Sequence, residues 1–265
     1  MPIKCLVDVC AMGQESFHAW DKVVMRNAFD IQNTLGRLCD ERIYQNELAM
    51  RCGEVGIRCL REVELRACHK TFEKSYYLDL LVELGAVYEL KAVEALANVH
   101  QNQLINYLLL TGTHHGKLIN FRSASVESRF ISTRLNHADR TSFQLSESQW
   151  QRCDESTRLK SALIGLLADW GTFLDISLYR EALLHLLDGP DAGFLPIAIQ
   201  VKGRTVGFQK MCLLNSENAW HLSAIKINLH AHESNIRRLM HHTNLEAIHW
   251  INLHQNQVTL KSLKK

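Results

Sequence analysis

The chain has 265 residues, 46% of them hydrophobic and 22% charged, with a formal net charge of +2. That profile fits one large globular domain or two of ordinary size, and it excludes a disordered chain. A balance so close to neutral advertises no nucleic-acid or membrane surface; residues 1–125 carry 14 Lys+Arg against 15 Asp+Glu, and residues 126–265 carry 16 against 13.

From the N-terminus, residues 16–34 read as a helix, with Phe17, Trp20, Val24, Ala28 and Ile31 near helical spacing. Gly36 interrupts it, and a second helix follows with Ile43, Tyr44, Leu48 and Met50 as its apolar members. The pattern turns strand-like from 61 to 93, returns to helix over 99–110, and closes with a short strand at 117–122. Residues 122–150 are rich in Ser, Arg and Asn and read as a linker holding one strand. Six of the eight cysteines fall in the first 70 residues and none forms a Cys-x-x-Cys pair. They read as reduced, mostly buried thiols of a cytoplasmic protein. No secretion signal and no apolar run of ~18–20 residues appears, so no membrane partner is expected.

After the linker the order of elements begins again. GRLCDERIYQNEL (36–48) aligns with GTFLDISLYREAL (171–183) at a shift of 135, matching Gly36/Gly171, Asp40/Asp175, Tyr44/Tyr179 and Leu48/Leu183. From residue 79 to 121 the shift is 132 without a gap, and His100/His232, Thr111/Thr243 and Ile-Asn at 119–120/251–252 coincide. So many matches in one order read as tandem duplication of a single α/β unit.

The stretch YLDLLVELGAVYELK (77–91) reads as an apolar hairpin interrupted by Asp79, Glu89 and Lys91. With Glu83-Leu84-Gly85 as a three-residue loop, its left-handed position falling on Gly85, Val82 faces Ala86 and Asp79 faces Glu89. Period-two alternation puts Lys91 on the side of Glu89, so all three groups meet on one face. Two carboxylates so close repel unless a cation lies between them, and oxygen ligands suit a hard ion such as Mg²⁺ or Mn²⁺. A solvated sheet face with a Glu–Lys pair suits the same pattern, and the arrangement alone leaves both open.

Asp79, then Glu89-Leu90-Lys91, then Gln103-Leu104-Ile105-Asn106-Tyr107 resembles the D…(D/E)xK…QxxxY signature of the PD-(D/E)XK nuclease superfamily in its RecB-like form. Upstream, Gly36 to Tyr44 resembles the motif of the GxxExxY family within it, with two residues more between Gly and Glu. The likeness covers residues 15–122. It implies a restriction-endonuclease-like α/β core, a mixed sheet flanked by helices. Asp79 and Glu89 would be metal ligands, with the Leu90 backbone carbonyl a third and Glu41 a further carboxylate; Asp40 is the alternative to Glu41. Lys91 would position the attacking water or steady the phosphate, and Gln103 and Tyr107 would reach the metal site or the nucleic-acid backbone. The activity implied is Mg²⁺- or Mn²⁺-dependent phosphodiester hydrolysis, on DNA rather than RNA.

The domains expected are a nuclease-like one at 1–125, a linker at 126–150, and a degenerate copy at 151–265. In that copy Met211, His221, Ser223, Asn235 and Ile176 replace Asp79, Glu89, Lys91, Gln103 and Glu41. Met and Ile hold no hard cation, so the copy is expected to be inactive. His230 and His232 are close enough for zinc, but without a third ligand at suitable spacing they read as surface histidines. The rival from another class is a non-catalytic nucleic-acid-binding or scaffolding protein that keeps the fold. A near-neutral nuclease also suits activity dependent on a protein partner. An exposed basic face from Arg51, Arg58, Arg61 and Arg66 would answer the shortage of positive charge.

Overall fold

The computed structural model of the protein describes residues 2–187 and 192–265. The chain divides into two units, one of residues up to Cys68 with Glu73–His137, the other of His69–Phe72 with Ala138–Lys265.

The first unit begins with β1 (Ile3–Cys5), α1 (Gln14–Leu35) and α2 (Glu41–Glu54). The strands β2 (Cys59–His69), β3 (Phe72–Val82) and β4 (Ala86–Lys91) follow, then α3 (Asn98–Thr111), β5 (His115–Asn120) and β6 (Glu127–Ser132). The strands form one sheet in the order β1-β2-β3-β4-β5-β6. β4 and β5 are parallel, joined through α3, whereas β3/β4 and β5/β6 are antiparallel.

Helical spacing explains most of α1: Phe17, Val24, Ala28 and Ile31 are fully buried. Trp20, assigned to the same face from its spacing, is 36% exposed instead. Gly36 ends the helix with φ 74° while its N–H donates to the Gln32 carbonyl at 2.8 Å. In α2, Tyr44 and Leu48 are buried but Ile43 and Met50 lie outside. These two helices pack on the sheet face that carries Leu80, Val82, Tyr88 and Leu90, and Tyr44 stacks on Phe121 with ring centres 4.4 Å apart. The opposite face of β4 therefore carries Val87, Glu89 and Lys91.

After α4 (His137–Thr141), which straddles the boundary, the second unit runs β7 (Gln144–Gln149), α5 (Asp154–Trp170), α6 (Ile176–Leu186) and β8 (Gly193–Val201). It ends with β9 (Arg204–Leu213), β10 (Asn218–Ser223), α7 (Leu229–His241), β11 (Ala247–His254) and β12 (Gln257–Lys264). Its sheet order is β7-β12-β11-β10-β9-β8, with β10 and β11 parallel. Residues 126–150, read from sequence as a linker, hold two paired strands: β6 on β5, and β7 on β12. The chain passes from the first unit to the second between His137 and Ala138.

From its first long helix each unit repeats the order α-α-β-β-β-α-β-β, and the registers agree at the shift of 132. Leu80 faces Tyr88 as Cys212 faces Trp220, and Glu89 faces Leu118 as His221 faces Trp250. Local hydrogen bonds agree as well. The Tyr44 hydroxyl donates to the Gly36 carbonyl at 2.8 Å, and the Tyr179 hydroxyl to that of Gly171 at 2.6 Å. Asn120 pins the backbone of Val93 with both amide atoms, and Asn252 does the same to Ile225.

All eight cysteines are free, but only Cys52 and Cys212 are buried, fewer than the sequence led us to expect. Among the described residues no helix is long and apolar enough to cross a membrane.

Candidate metal and phosphodiester site

The hairpin loop is Glu83-Leu84-Gly85, and Val82 pairs with Ala86. The left-handed conformations fall on Glu83 and Leu84, with φ 47° and 56°, rather than on Gly85. Glycine is needed at 85 for a different reason. A Cβ there would lie 2.3 Å from the carbonyl oxygen of Cys10, whose N–H donates to the Leu84 carbonyl.

At the far end of the hairpin three charged groups meet. Lys91 Nζ donates to Glu89 Oε1 at 2.6 Å and to the Leu90 carbonyl at 2.7 Å, and it stands 3.9 Å from Asp79 Oδ2. Asp79 is held in place because its Oδ2 accepts the Leu90 N–H at 2.7 Å. From the first turn of α2, Glu41 Oε1 comes to 3.7 Å of Lys91 Nζ. Asp40, the preceding residue, is the N-cap of that helix and lines the same cavity. That cavity has a volume of 350 Å³ and is also lined by Arg42, Gln45, Glu62 and Asp79.

Glu89 is 1% exposed, and its Oε2 is buried without a hydrogen-bond partner. Burial, then the Asp79 charge, pushes the Glu89 carboxyl up to about 8. Burial also raises Asp79 to about 6, against the opposing pull of Lys91. Burial works to lower the Lys91 ammonium, yet Glu89, Asp79 and Glu41 together hold it above its ordinary value. Carboxyls so placed are short of positive charge, and an unpaired buried carboxylate oxygen costs on the order of 1–3 kcal/mol or more. The carboxylates and the Leu90 carbonyl offer oxygens, the donors a hard divalent cation takes. Lys91 Nζ stands between them, however, and among the described residues no three acidic side chains are grouped closely enough to hold an ion.

Gln103 and Tyr107 sit one turn apart on α3, and the Gln103 amide donates to the Tyr107 hydroxyl at 3.1 Å. Burial and then the Glu89 charge push the Tyr107 hydroxyl up to about 12.

Two residues of the site escaped the sequence reading. Gln45, buried on α2, donates through Nε2 to Glu62 Oε1 at 2.6 Å and to the Asp79 carbonyl at 2.7 Å. It follows Tyr44 directly, so the helical turn that anchors Tyr44 was the available signal. Nothing in the sequence marks Glu62, which takes φ 50° in β2. The arginines considered as a basic face are partly neutralised: Arg51 pairs with Glu47, and Arg66 with Glu64 and Glu73.

At the positions equivalent to Glu41, Asp79 and Glu89 the second unit has Ile176, Met211 and His221. His221 and His232 face each other, Nε2 to Nε2, at 2.9 Å, and Ser223 donates to Asn252 at 2.7 Å. Burial, reinforced by His232 and Arg180, lowers His221 to about 4. Among the described residues no three His, Cys, Asp or Glu side chains form a metal-binding group. His249 is buried in β11 with Nδ1 bonded to the Ser262 hydroxyl.

Residues 18–131 match the family model of the PD-(D/E)XK nuclease superfamily, from within α1 to within β6. No curated protein and no solved structure matches the chain significantly.

Proposed function

Because residues 18–131 match the family model of the PD-(D/E)XK nuclease superfamily, we propose that the first unit is a divalent-metal-dependent nuclease acting on DNA rather than RNA. Within the superfamily we place it with the GxxExxY proteins, on the likeness of Gly36 to Tyr44 to their motif. The observation that carries this reading is the buried, unpartnered Oε2 of Glu89 beside Asp79, with a lysine one alternation further along the strand. Asp79, Glu89 and Glu41 would hold Mg²⁺ or Mn²⁺, with the Leu90 carbonyl as a further oxygen. A bound divalent ion supplies charge to polarise the phosphate and acidify water.

The protein's own groups do the rest. Lys91 holds the attacking water and donates hydrogen bonds to the phosphate as negative charge builds on it. The Leu90 N–H fixes Asp79, and Gln45 fixes Glu62 and the backbone beneath Asp79. Gln103 and Tyr107, already bonded to each other, orient the nucleic-acid backbone.

The second unit we read as a degenerate, inactive copy. Its support is the matched registers and hydrogen bonds together with the loss of each of the proposed catalytic groups from Glu41, Asp79, Glu89 and Lys91. Eight free thiols support a cytoplasmic location. A non-catalytic scaffold remains the second reading, favoured by the 2.6 Å Lys91–Glu89 contact, which satisfies that lysine without a substrate.

The test is cleavage of plasmid, linear duplex, single-stranded DNA and RNA with Mg²⁺ or Mn²⁺, run beside Lys91→Ala. Metal-dependent cutting lost in the variant is the expected result. No cutting by the wild type, together with no Mn²⁺ binding by calorimetry, selects the scaffold.

A further inference from the structure

The β8–β9 hairpin of the second unit has a surface unlike its counterpart in the first. The two strands are joined by Lys202-Gly203, both with positive φ (50° and 73°), the type I′ geometry that extends a twisted ribbon. β8 is the edge of its sheet. Ala198 pairs with Phe208, Pro196 with Lys210 and Phe194 with Cys212, so alternate residues of both strands share one face. On that face Phe208 is 73% exposed and Phe194 is 52% exposed, and Lys210 Nζ lies 5.9 Å from the centre of the Phe194 ring. Val206, beside the bulge, is exposed too.

The charge is one-sided. From Ala192 to Leu213 there is no Asp or Glu, while Lys202, Arg204 and Lys210 are present and exposed. In the β2–β3 hairpin Arg66 is instead bracketed by Glu64 and Glu73, and no large aromatic ring except Tyr77 is exposed. Exposed aromatic faces between cations suit one kind of partner, a polyanion with flat apolar rings. Bases stack on the rings while phosphates meet the cations, and only unpaired bases offer their faces. Pro196 lies midway along β8 and has no N–H, which discourages pairing of that edge with a strand of a second copy.

We propose that the β8–β9 ribbon binds single-stranded nucleic acid, stacking bases on Phe208 and Phe194 and meeting phosphates with Lys210, Arg204 and Lys202. The ligand class rests on the nuclease reading.

The test is fluorescence anisotropy of labelled 20-mer oligothymidylate, oligouridylate and duplex DNA, in EDTA, across a salt series. The full-length Lys91→Ala chain serves as the parent, so that the probe stays intact. Single strands should bind more tightly than duplex. Phe208→Ala should weaken single-strand binding about tenfold and Phe208→Trp should retain it. Lys210→Ala should reduce the slope of log affinity against log salt by about 0.7. Phe208 is exposed, so its replacement leaves the fold intact, which circular dichroism checks.

Unchanged affinity in both alanine variants overturns the proposal, as does equal binding of duplex or no binding by the parent. So does a Phe208→Ala chain that loses self-association in light scattering yet binds DNA as before, which would assign the patch to a second copy. Failure of the nuclease reading looks different: Phe208-dependent binding persists while the wild type cuts nothing with metal.

Discussion

Glu89 and His221 occupy the same rung of two ladders with the same register, one opposite Leu118 and the other opposite Trp250. Around them the framework is held alike. The tyrosine–glycine bond that ties each second helix to the end of the helix before it occurs in both units. So do the asparagine that clamps the residue after the central strand and the threonine that closes the third helix. Yet the charged groups are gone from the second unit. Residues that hold a backbone must stay wherever the fold stays, whereas carboxylates buried against one another are a standing cost unless a bound cation offsets it. The comparison separates what this topology needs from what the first unit adds to it.

The largest expected effect breaks the comparison at its sharpest point. Lys91→Ala should lower metal-dependent cleavage by at least about a hundredfold, as loss of a charge-stabilising donor does elsewhere. Ser223→Ala, at the equivalent position of the second unit, should leave it within about twofold. Rate assays on one plasmid substrate decide. A large loss from Ser223→Ala would mean that the second unit takes part in the chemistry.

Next is the electrostatic cost of the site without metal. Glu89 rises from an ordinary 4.5 to about 8 in the folded protein, and Asp79 from 3.8 to about 6. The folded state therefore holds protons that the unfolded chain has released. Stability from this source is full below about pH 4 and is lost as pH rises through 6 and then 8. In EDTA the melting temperature should fall between pH 5.5 and pH 8, and Glu89→Gln should flatten that fall. Mn²⁺ should raise the melting temperature more at pH 8 than at pH 5.5, because the ion replaces the protons. Equal metal shifts at both values would contradict a carboxylate site.

Much of this was legible in the sequence, for identifiable reasons. The hairpin register followed from a three-residue loop and a period of two, and that alone brought Asp79, Glu89 and Lys91 together. Helical spacing found Phe17, Val24, Ala28 and Ile31, but Trp20 shared the spacing and lies outside, because period alone does not say where the sheet ends. Residues 122–150 looked like linker because β6 and β7 are edge strands of mixed polarity, and β7 is held by β12, far away in the chain. Gln45 and Glu62 were missed since their roles depend on a tertiary contact, an amide bridging two strands, that leaves no local pattern. The ribbon of β8 and β9 carried its signal openly, as a stretch without acids, but only its exposure distinguishes it from a buried hairpin.

The smallest effects sharpen the likeness of the units rather than their difference. Tyr44→Phe and Tyr179→Phe each remove a hydroxyl that donates to a helix-ending glycine carbonyl and accepts a backbone N–H, from Cys39 or Leu174, and each should cost about 1–2 kcal/mol. Asn120→Ala and Asn252→Ala should cost more, about 2–3 kcal/mol, because each leaves the backbone of Val93 or Ile225 without partners. Thermal melts of the four variants test whether both members of a pair fall by similar amounts. Equal losses would mean that the same few bonds hold both units. An Asn252→Ala chain as stable as the wild type would mean that the second unit has other ways to hold its sheet.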